Sequence, residues 1–277
     1  MKSKNIISKI ITYFLLIFGA VVSLFPFYWM IKSSLIDLAF IFEMPPKLLP
    51  TGPKLSNYFT ALTQYPFGRF YLNSFIITSL TIIGTLLTSS MCAYAFARLK
   101  WKGRDKVFTI ILSGLMLPFF VVMIPQFMGW QALGLTNTIV PLIAPAWFGG
   151  GVFNIFLLRQ FFMGIPKDMD EAARIDGASY FRIYSQIIVP LSKQSMIVVG
   201  LLTFLASWND YMAPMIYLSS EKKYTLMLGL NLFLGSYNAQ WNYMMAATAI
   251  VVIPSLILYL FAQKYFIEGI SMTGVKG

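Results

Sequence analysis

Histidine is absent from the 277-residue chain, and cysteine occurs once. Without imidazole there is no Ser-His-Asp hydrolysis, no HExxH zinc site and no His-ligated haem. The lone Cys92 excludes an internal disulfide and a cysteine-rich metal site. In its apolar run it reads as a small buried or lipid-facing residue. No GxxxxGK[ST] sequence occurs either, so the chain has no P-loop for ATP. Charge is scarce: Asp, Glu, Lys and Arg make up 11% of the chain, against roughly 25% in a soluble domain. Hydrophobic residues make up 58%, and the mean hydropathy is +0.71. A 17% aromatic content excludes disorder. What remains is a polytopic membrane protein.

The gaps between charges locate the spans. A bilayer core of about 30 Å needs about 20 apolar residues in a helix. Lys9 and Lys32 enclose 22 uncharged residues, and Arg69 and Arg98 enclose 28. Lys106 and Arg159 enclose 52, enough for two crossings joined by a turn at 131–137, where Gly134 and Asn137 supply turn chemistry. A run after Lys193 and the last part of the uncharged stretch 224–263 complete the set. The expectation is an all-α fold with six transmembrane helices, at about 10–31, 72–97, 107–129, 138–158, 194–215 and 243–263, forming one transmembrane domain over 1–277. The apolar stretch near the N-terminus is too long for a signal peptide and ends in FPFYW, so it reads as an uncleaved first helix.

Charge also orients the chain. In the six-span arrangement 15 Lys and Arg fall on one side and 6 on the other. The positive-inside rule places the richer side, with both termini, in the cytoplasm. The net charge of +11 is therefore topological and does not point to nucleic acid. The cations from Arg98 to Lys106 read as headgroup anchors. The outer loop 32–69 carries five prolines and is expected to be irregular.

One cytoplasmic segment, 165–190 between helices 4 and 5, is unlike an ordinary loop. It holds Asp168, Asp170, Glu171 and Asp176, four of the ten acids in the chain. Asp168 is expected as an N-cap, with Glu171 three residues later completing a capping box. Gly177 is expected as the helix stop, and Ser179 as the cap of a second helix running towards Pro190. Helices this short are marginal in water. The apolar residues Tyr180, Phe181, Ile183, Tyr184, Ile187 and Ile188 imply a surface that holds the second one, either the membrane face or another subunit.

The spacing Glu171-Ala172-Ala173-x3-Gly177-x9-Ile187-x-Val189-Pro190 resembles the EAA motif of binding-protein-dependent ABC importer permeases, with Val189 where the pattern has Leu. The stretch AYAFARLK at 93–100, Pro125 to Phe127 followed by LGLTN at 133–137, SWNDYMAP at 207–214 and GISMTGVKG at 269–277 are similar to sugar-importer permeases, specifically the shorter permease of maltose-type heterodimers. The resemblance covers essentially the whole chain. It implies a second permease subunit, two cytoplasmic ATPase subunits that bind ATP and Mg, an extracytoplasmic solute-binding protein, a sugar substrate and a bacterial-type inner membrane. No cofactor, metal or catalytic site is implied in this chain.

The resemblance makes segment 165–190 a coupling helix pair. Glu171 would meet a cation on the ATPase, Ala172 and Ala173 would allow close docking, Gly177 would turn the chain, Ile187 belongs to the second helix, and Pro190 would start the next span. The tail 269–277 would reach the ATPase subunits. Substrate-path candidates are Asn209, Asp210, Asn231, Trp241 and Asn242, since sugar recognition uses amide hydrogen bonds and aromatic stacking. The same residues suit helix packing, and Asp210 suits a structural cap. The loop at 235–242 is placed to face the binding protein. Other readings are a glycerol-phosphate or polyol ABC permease, an ion-coupled secondary transporter and a membrane enzyme. The second would rest on Asp210 alone, and the third lacks a paired carboxylate or a lysine in any span.

Overall fold

The computed structural model describes the backbone of residues 2–235 and 238–273, and the side chains of residue 6 and of residues 8–235 and 238–263. All regular structure among them is helical. The chain forms α1 (Lys2–Ser34), α2 (Leu38–Ile41), α3 (Ser56–Gln64), α4 (Phe67–Arg98), α5 (Arg104–Ser113), α6 (Phe119–Ala132), α7 (Val140–Trp147) and α8 (Val152–Gly164). It continues with α9 (Asp168–Ile175), α10 (Tyr180–Ile183), α11 (Val189–Leu191), α12 (Lys193–Trp208), α13 (Met212–Tyr217), α14 (Leu226–Asn231) and α15 (Trp241–Thr273).

Four stretches are long and apolar enough to cross a membrane, in α1, in α4, over Val140–Gly164 and in α15. Two further bent pairs bring the number to six if each is one crossing. The expected straight span at 107–129 is one of these pairs. The segments Arg104–Met116 and Phe119–Ala132 meet at 99°. Pro118 causes the break: it lacks an amide proton and forces the preceding residue out of the helical region, and Leu117 is extended at φ −79°, ψ 115°. The expected span at 138–158 is interrupted as well. Gly149, Gly150 and Gly151 all have positive φ, at 103°, 67° and 89°, and separate α7 from α8. The expected span 194–215 ends earlier, at Trp208, and α13 follows a short break.

The chain divides into two compact units, Met1–Phe67 with Leu230–Ile253, and Gly68–Gly229 with Pro254–Gly277. In the first, the end of α1 is fastened to α3. The Asn57 amide donates to the Ser34 and Ile36 carbonyls at 2.9 and 3.0 Å, and the Ser34 hydroxyl lies 2.7 Å from Tyr58 Oη. The stretch expected to be an irregular outer loop therefore contains a helix and ordered contacts. Phe233 packs between the rings of Tyr65 and Phe67.

In the second unit α4 meets the span Val140–Gly164 at close range. Its small residues allow close approach, the usual basis of helix association in lipid. A Cβ on Gly84 would stand 2.6 Å from the Trp147 ring, and one on Gly150 would stand 2.7 Å from the Thr85 carbonyl oxygen. The Thr88 hydroxyl donates to the Ala146 carbonyl at 2.8 Å. At the other end Asp105 opens α5. It pairs with Arg104 at 3.0 Å and lies 3.7 Å from Arg159. Gly134 and Asn137 take positive φ in the turn after α6, as the sequence indicates. The Asn137 side chain accepts from the Ser219 and Ser220 amides and so ties this turn to the one after α13.

Candidate functional site

Segment 165–190 folds as two short helical pieces with a sharp turn between them. α9 starts at Asp168 itself, with Lys167 at the cap position and no side-chain cap bond. The expected capping box between Asp168 and Glu171 is therefore not formed. Asp168, Asp170 and Glu171 instead occupy the first turn, where the helix dipole favours negative charge. The end of α9 follows the expectation. Gly177 has φ +79°, its amide donates to the Arg174 carbonyl at 3.0 Å, and the Ala178 amide reaches the Ala173 carbonyl at 2.9 Å. This pair of bonds is a Schellman motif, which needs a left-handed residue at the position of Gly177.

Ser179 caps the next piece, its hydroxyl accepting from the Arg182 amide at 3.3 Å. From α10 the chain runs through a π-helical turn, Tyr184–Ile188, into α11. Pro190 lies inside this last turn rather than at the start of the next span. The break comes at Ser192, where the helical direction changes by 79° before α12 begins. Pro190 has no amide to give to the turn before it, so the run 180–191 loses one backbone bond just before the break.

The two faces of the segment differ. Ile183, Tyr184 and Ile188 are buried in a cluster with Ala93 and Tyr94 of α4, Leu158 and Phe162 of α8 and Val199 of α12. Ala173, Ala178 and Ile187 pack against it. The opposite face exposes Ile175 at 87%, Phe181 at 67%, Tyr180 at 56% and Met169 at 41%. Glu171 and Ala172 are exposed on the same segment. The Arg174 guanidinium lies 4.8 Å from the centre of the Tyr180 ring. Apolar side chains clustered beside charged ones on one surface mark an interaction site.

Arg98, at the last position of α4, is not a headgroup anchor. Its side chain is 1% exposed. One guanidinium nitrogen donates to the Ile165 carbonyl at 2.9 Å, another to the Pro166 carbonyl at 3.3 Å, and Nε lies 3.3 Å from Asp170 Oδ2. Asp170 is 6% exposed. Removing one partner of such a buried pair costs about 3–5 kcal/mol, because the other charge is stranded. Higher on α4, Ser90 Oγ lies 2.7 Å from Tyr184 Oη. The sequence does not show the pairing of Arg98 with Asp170 or of Ser90 with Tyr184. A cation at a span end and an acid in a helix first turn each have a local explanation, and their pairing is visible only in three dimensions.

The substrate-path candidates are divided between the two units. Asn209 and Asp210 lie in the second unit, and Asn231, Trp241 and Asn242 in the first. Trp241 meets Phe42 edge-on at 6.3 Å, Asn242 is buried, and Asn231 is exposed. The Asn209 amide donates to the Leu205 carbonyl of its own helix at 2.9 Å. Asp210 has two roles. It accepts from the Ala213 amide at 3.1 Å, capping the start of α13, and it lines a cavity of about 370 Å³. Thr81, Asn154, Thr203 and Ser207 share that wall with Leu142 and Phe153. Thr81 Oγ1 and Thr203 Oγ1 are buried there without a hydrogen-bond partner. The expected contact surface at 235–242 includes residues 236–237, which lie outside the described residues. In the tail 269–277, residues 274–277 and the side chains of 269–273 lie outside them as well.

The comparisons with known proteins follow the same direction. Residues 85–272 match the family described as "Binding-protein-dependent transport system inner membrane component". The chain is similar to the arabinooligosaccharides transport system permease protein AraQ of Halalkalibacterium halodurans, 34% identical over 82% of this chain and 81% of that protein. It is also similar to the diacetylchitobiose uptake system permease protein NgcG of Streptomyces coelicolor, 32% identical over 94% of this chain and 87% of that protein. In structure it resembles a chain of a bacterial ABC transporter involved in the import of the acidic polysaccharide alginate, with a TM-score of 0.82, 27% identity and coverage of 95% and 98%.

Proposed function

We propose, from the premise that this chain belongs to the family of binding-protein-dependent transport system inner membrane components, that it is the sugar- or oligosaccharide-conducting permease subunit of an ATP-driven importer. The family consists of membrane transport components, not catalysts, and the several apolar helices agree with a multi-pass protein of the bacterial inner membrane. Relatives named for arabinooligosaccharide and diacetylchitobiose uptake support a carbohydrate substrate. The cavity wall supports a neutral polyhydroxyl compound over a phosphate. Its lining residues include Thr81, Asn154, Thr203, Ser207, the Phe153 ring and one carboxylate, with no Lys or Arg among them.

The complete machine in this reading has a second permease, two cytoplasmic ATPase subunits carrying ATP and Mg, and an extracytoplasmic binding protein. A related solved structure is titled a bacterial alginate ABC transporter in complex with an alginate pentasaccharide-bound periplasmic protein; at 16% identity it supports only the likeness of fold. The chain is one permease domain with six crossings, each bent pair counting as one, and both termini in the cytoplasm. Segment 165–190 docks on an ATPase subunit, with Glu171, Ala172, Ala173, Gly177, Ile187 and Pro190 as its motif residues. ATP binding closes the ATPase pair, the docked segment moves, and the spans turn from inward-open to outward-open. Asn209, Asp210, Asn231, Trp241 and Asn242 are proposed along the substrate path, and the tail 269–277 at the ATPase subunits.

The observation that carries the docking role is the exposed apolar face of Ile175, Tyr180 and Phe181 beside Glu171, on a segment whose other face is fixed in the core. The test is site-specific cross-linking in the assembled complex, with Cys92→Ser as background. Ile175→Cys and Phe181→Cys should link to an ATPase subunit. Links to lipid alone would place the segment on the membrane surface and sink the docking role.

A further inference from the structure

We infer that α4 is a direct lever of transport. The docking segment grips it through a buried latch, and it carries the motion to the cavity wall. The inference rests on the docking role proposed above and adds a route to it. By sequence, segment 165–190 is continuous only with α8 and α12, and α4 is separated from it by more than one span. The contacts connect them nonetheless. At the end of α4 the Arg98 guanidinium donates to the carbonyls of Ile165 and Pro166, and its Nε stands 3.3 Å from the Asp170 carboxylate as a buried ion pair without a hydrogen bond. Eight positions earlier, about 12 Å along the helix, Ser90 Oγ meets Tyr184 Oη at 2.7 Å, and the Tyr94 and Tyr184 rings lie 5.4 Å apart between these points.

Two polar attachments bracketing an apolar contact fix position and angle together. Apolar surfaces slide over each other at little cost, but a buried guanidinium cannot leave its carboxylate and carbonyls without stranding charge. A displacement of α9 that left α4 behind would break the latch, so the two move as one body. The upper part of α4 reaches the cavity. Thr81 is in its wall, about 25 Å along the same helix from Arg98. Between them α4 packs closely on the span Val140–Gly164, which also lines the cavity through Leu142, Phe153 and Asn154, at Gly84 against Trp147 and at Gly150 against Thr85. A rigid helix with the docking segment at one end and a cavity-lining residue near the other has the form a lever requires.

The latch is a positioning device, so its test must separate coupling from assembly. The experiment uses the complete complex in vesicles, with the partner permease, the ATPase subunits and the liganded binding protein. Arg98→Met combined with Asp170→Leu removes both charges together and strands neither. The expected result is normal co-purification of the ATPase subunits and retained basal hydrolysis. Uptake per ATP hydrolysed should fall about tenfold, a size usual for coupling between sites, and stimulation of hydrolysis by the binding protein should be lost. Arg98→Lys, which keeps a donor for the Ile165 and Pro166 carbonyls and a charge for Asp170, should retain part of the ratio. An unchanged uptake per ATP in the neutral double variant overturns the inference. So does loss of the ATPase subunits from a normally inserted chain, which would make the pair part of the docking face. Should the double variant fail to insert, Ser90→Ala with Tyr184→Phe is read in its place. It removes only the upper hydrogen bond, and a wild-type ratio there also overturns the lever. If Ile175→Cys in the otherwise native complex never links to an ATPase subunit, the docking role itself falls and the lever with it. A link combined with an unchanged ratio removes the lever alone.

Discussion

Substitution at Gly177 separates backbone strain from side-chain bulk. Its φ is +79°, and a Cβ built there meets nothing within 4 Å. Space is open, so the cost of any side chain comes from the left-handed backbone. For alanine that cost is about 1–2 kcal/mol, a factor of roughly 5–30 in the population of the turn. Asparagine visits this region readily and serves as a helix stop in the same motif, so it should cost much less. Valine is β-branched and a true outlier there, so it should cost the most. The turn holds two bonds, from the Gly177 amide to Arg174 and from the Ala178 amide to Ala173, and Ala178 packs on the core. Loss of the turn frees α9 from α10 without touching the spans. Uptake per ATP in the reconstituted complex should therefore fall in the order Gly, Asn, Ala, Val, with insertion unchanged. Hydrogen exchange over 168–190 should rise in the same order. Asparagine as damaging as valine would mean that a partner surface packs against Gly177. A valine variant with native coupling would refute the turn's role altogether.

Gly150→Ala should destabilise more than Gly177→Ala. It adds a contact at 2.7 Å with the Thr85 backbone oxygen to the strain at φ +67°, and the lower melting temperature of the purified complex would show it. Asp210→Asn keeps an acceptor for the Ala213 amide and should leave stability intact while weakening uptake. Asp210→Ala also removes the cap, worth about 1 kcal/mol; equal uptake by the wild type and Asn variant would confine Asp210 to capping. Asn137→Gly keeps the positive φ but loses the acceptor for the Ser219 and Ser220 amides. It should loosen the turns after α6 and α13, measured as faster exchange at those amides, with little loss of insertion.

The helical class and the approximate crossings were legible because charge is excluded from lipid, and the gaps between charges are simply long. Hydropathy is blind to direction, however. The 99° bend after Met116 was signalled only by Pro118, and the break at 149–151 only by three consecutive glycines, within an unbroken apolar run. Gly177 and Ser179 were readable because helix stops and caps depend on the residue at one position. The expected capping box failed because the backbone is already helical at Lys167, at φ −72° and ψ −25°, and its carbonyl accepts from the Glu171 amide, which puts Asp168 inside the first turn. Arg98 was misread because a cation at the end of a span is normally solvated at the headgroups. Its partner Asp170 is 72 positions away in sequence, and no local pattern records that contact. The substrate candidates were chosen by residue type, and type alone does not say that Asn231, Trp241 and Asn242 belong to a different unit from Asp210.

The most direct measurement is sugar uptake into vesicles that hold the complete complex, with ATP inside and the liganded binding protein outside. The account predicts uptake that requires both and persists when proton and sodium gradients are collapsed. Uptake that continues without ATP and stops with the gradients would contradict it and make the chain a secondary transporter.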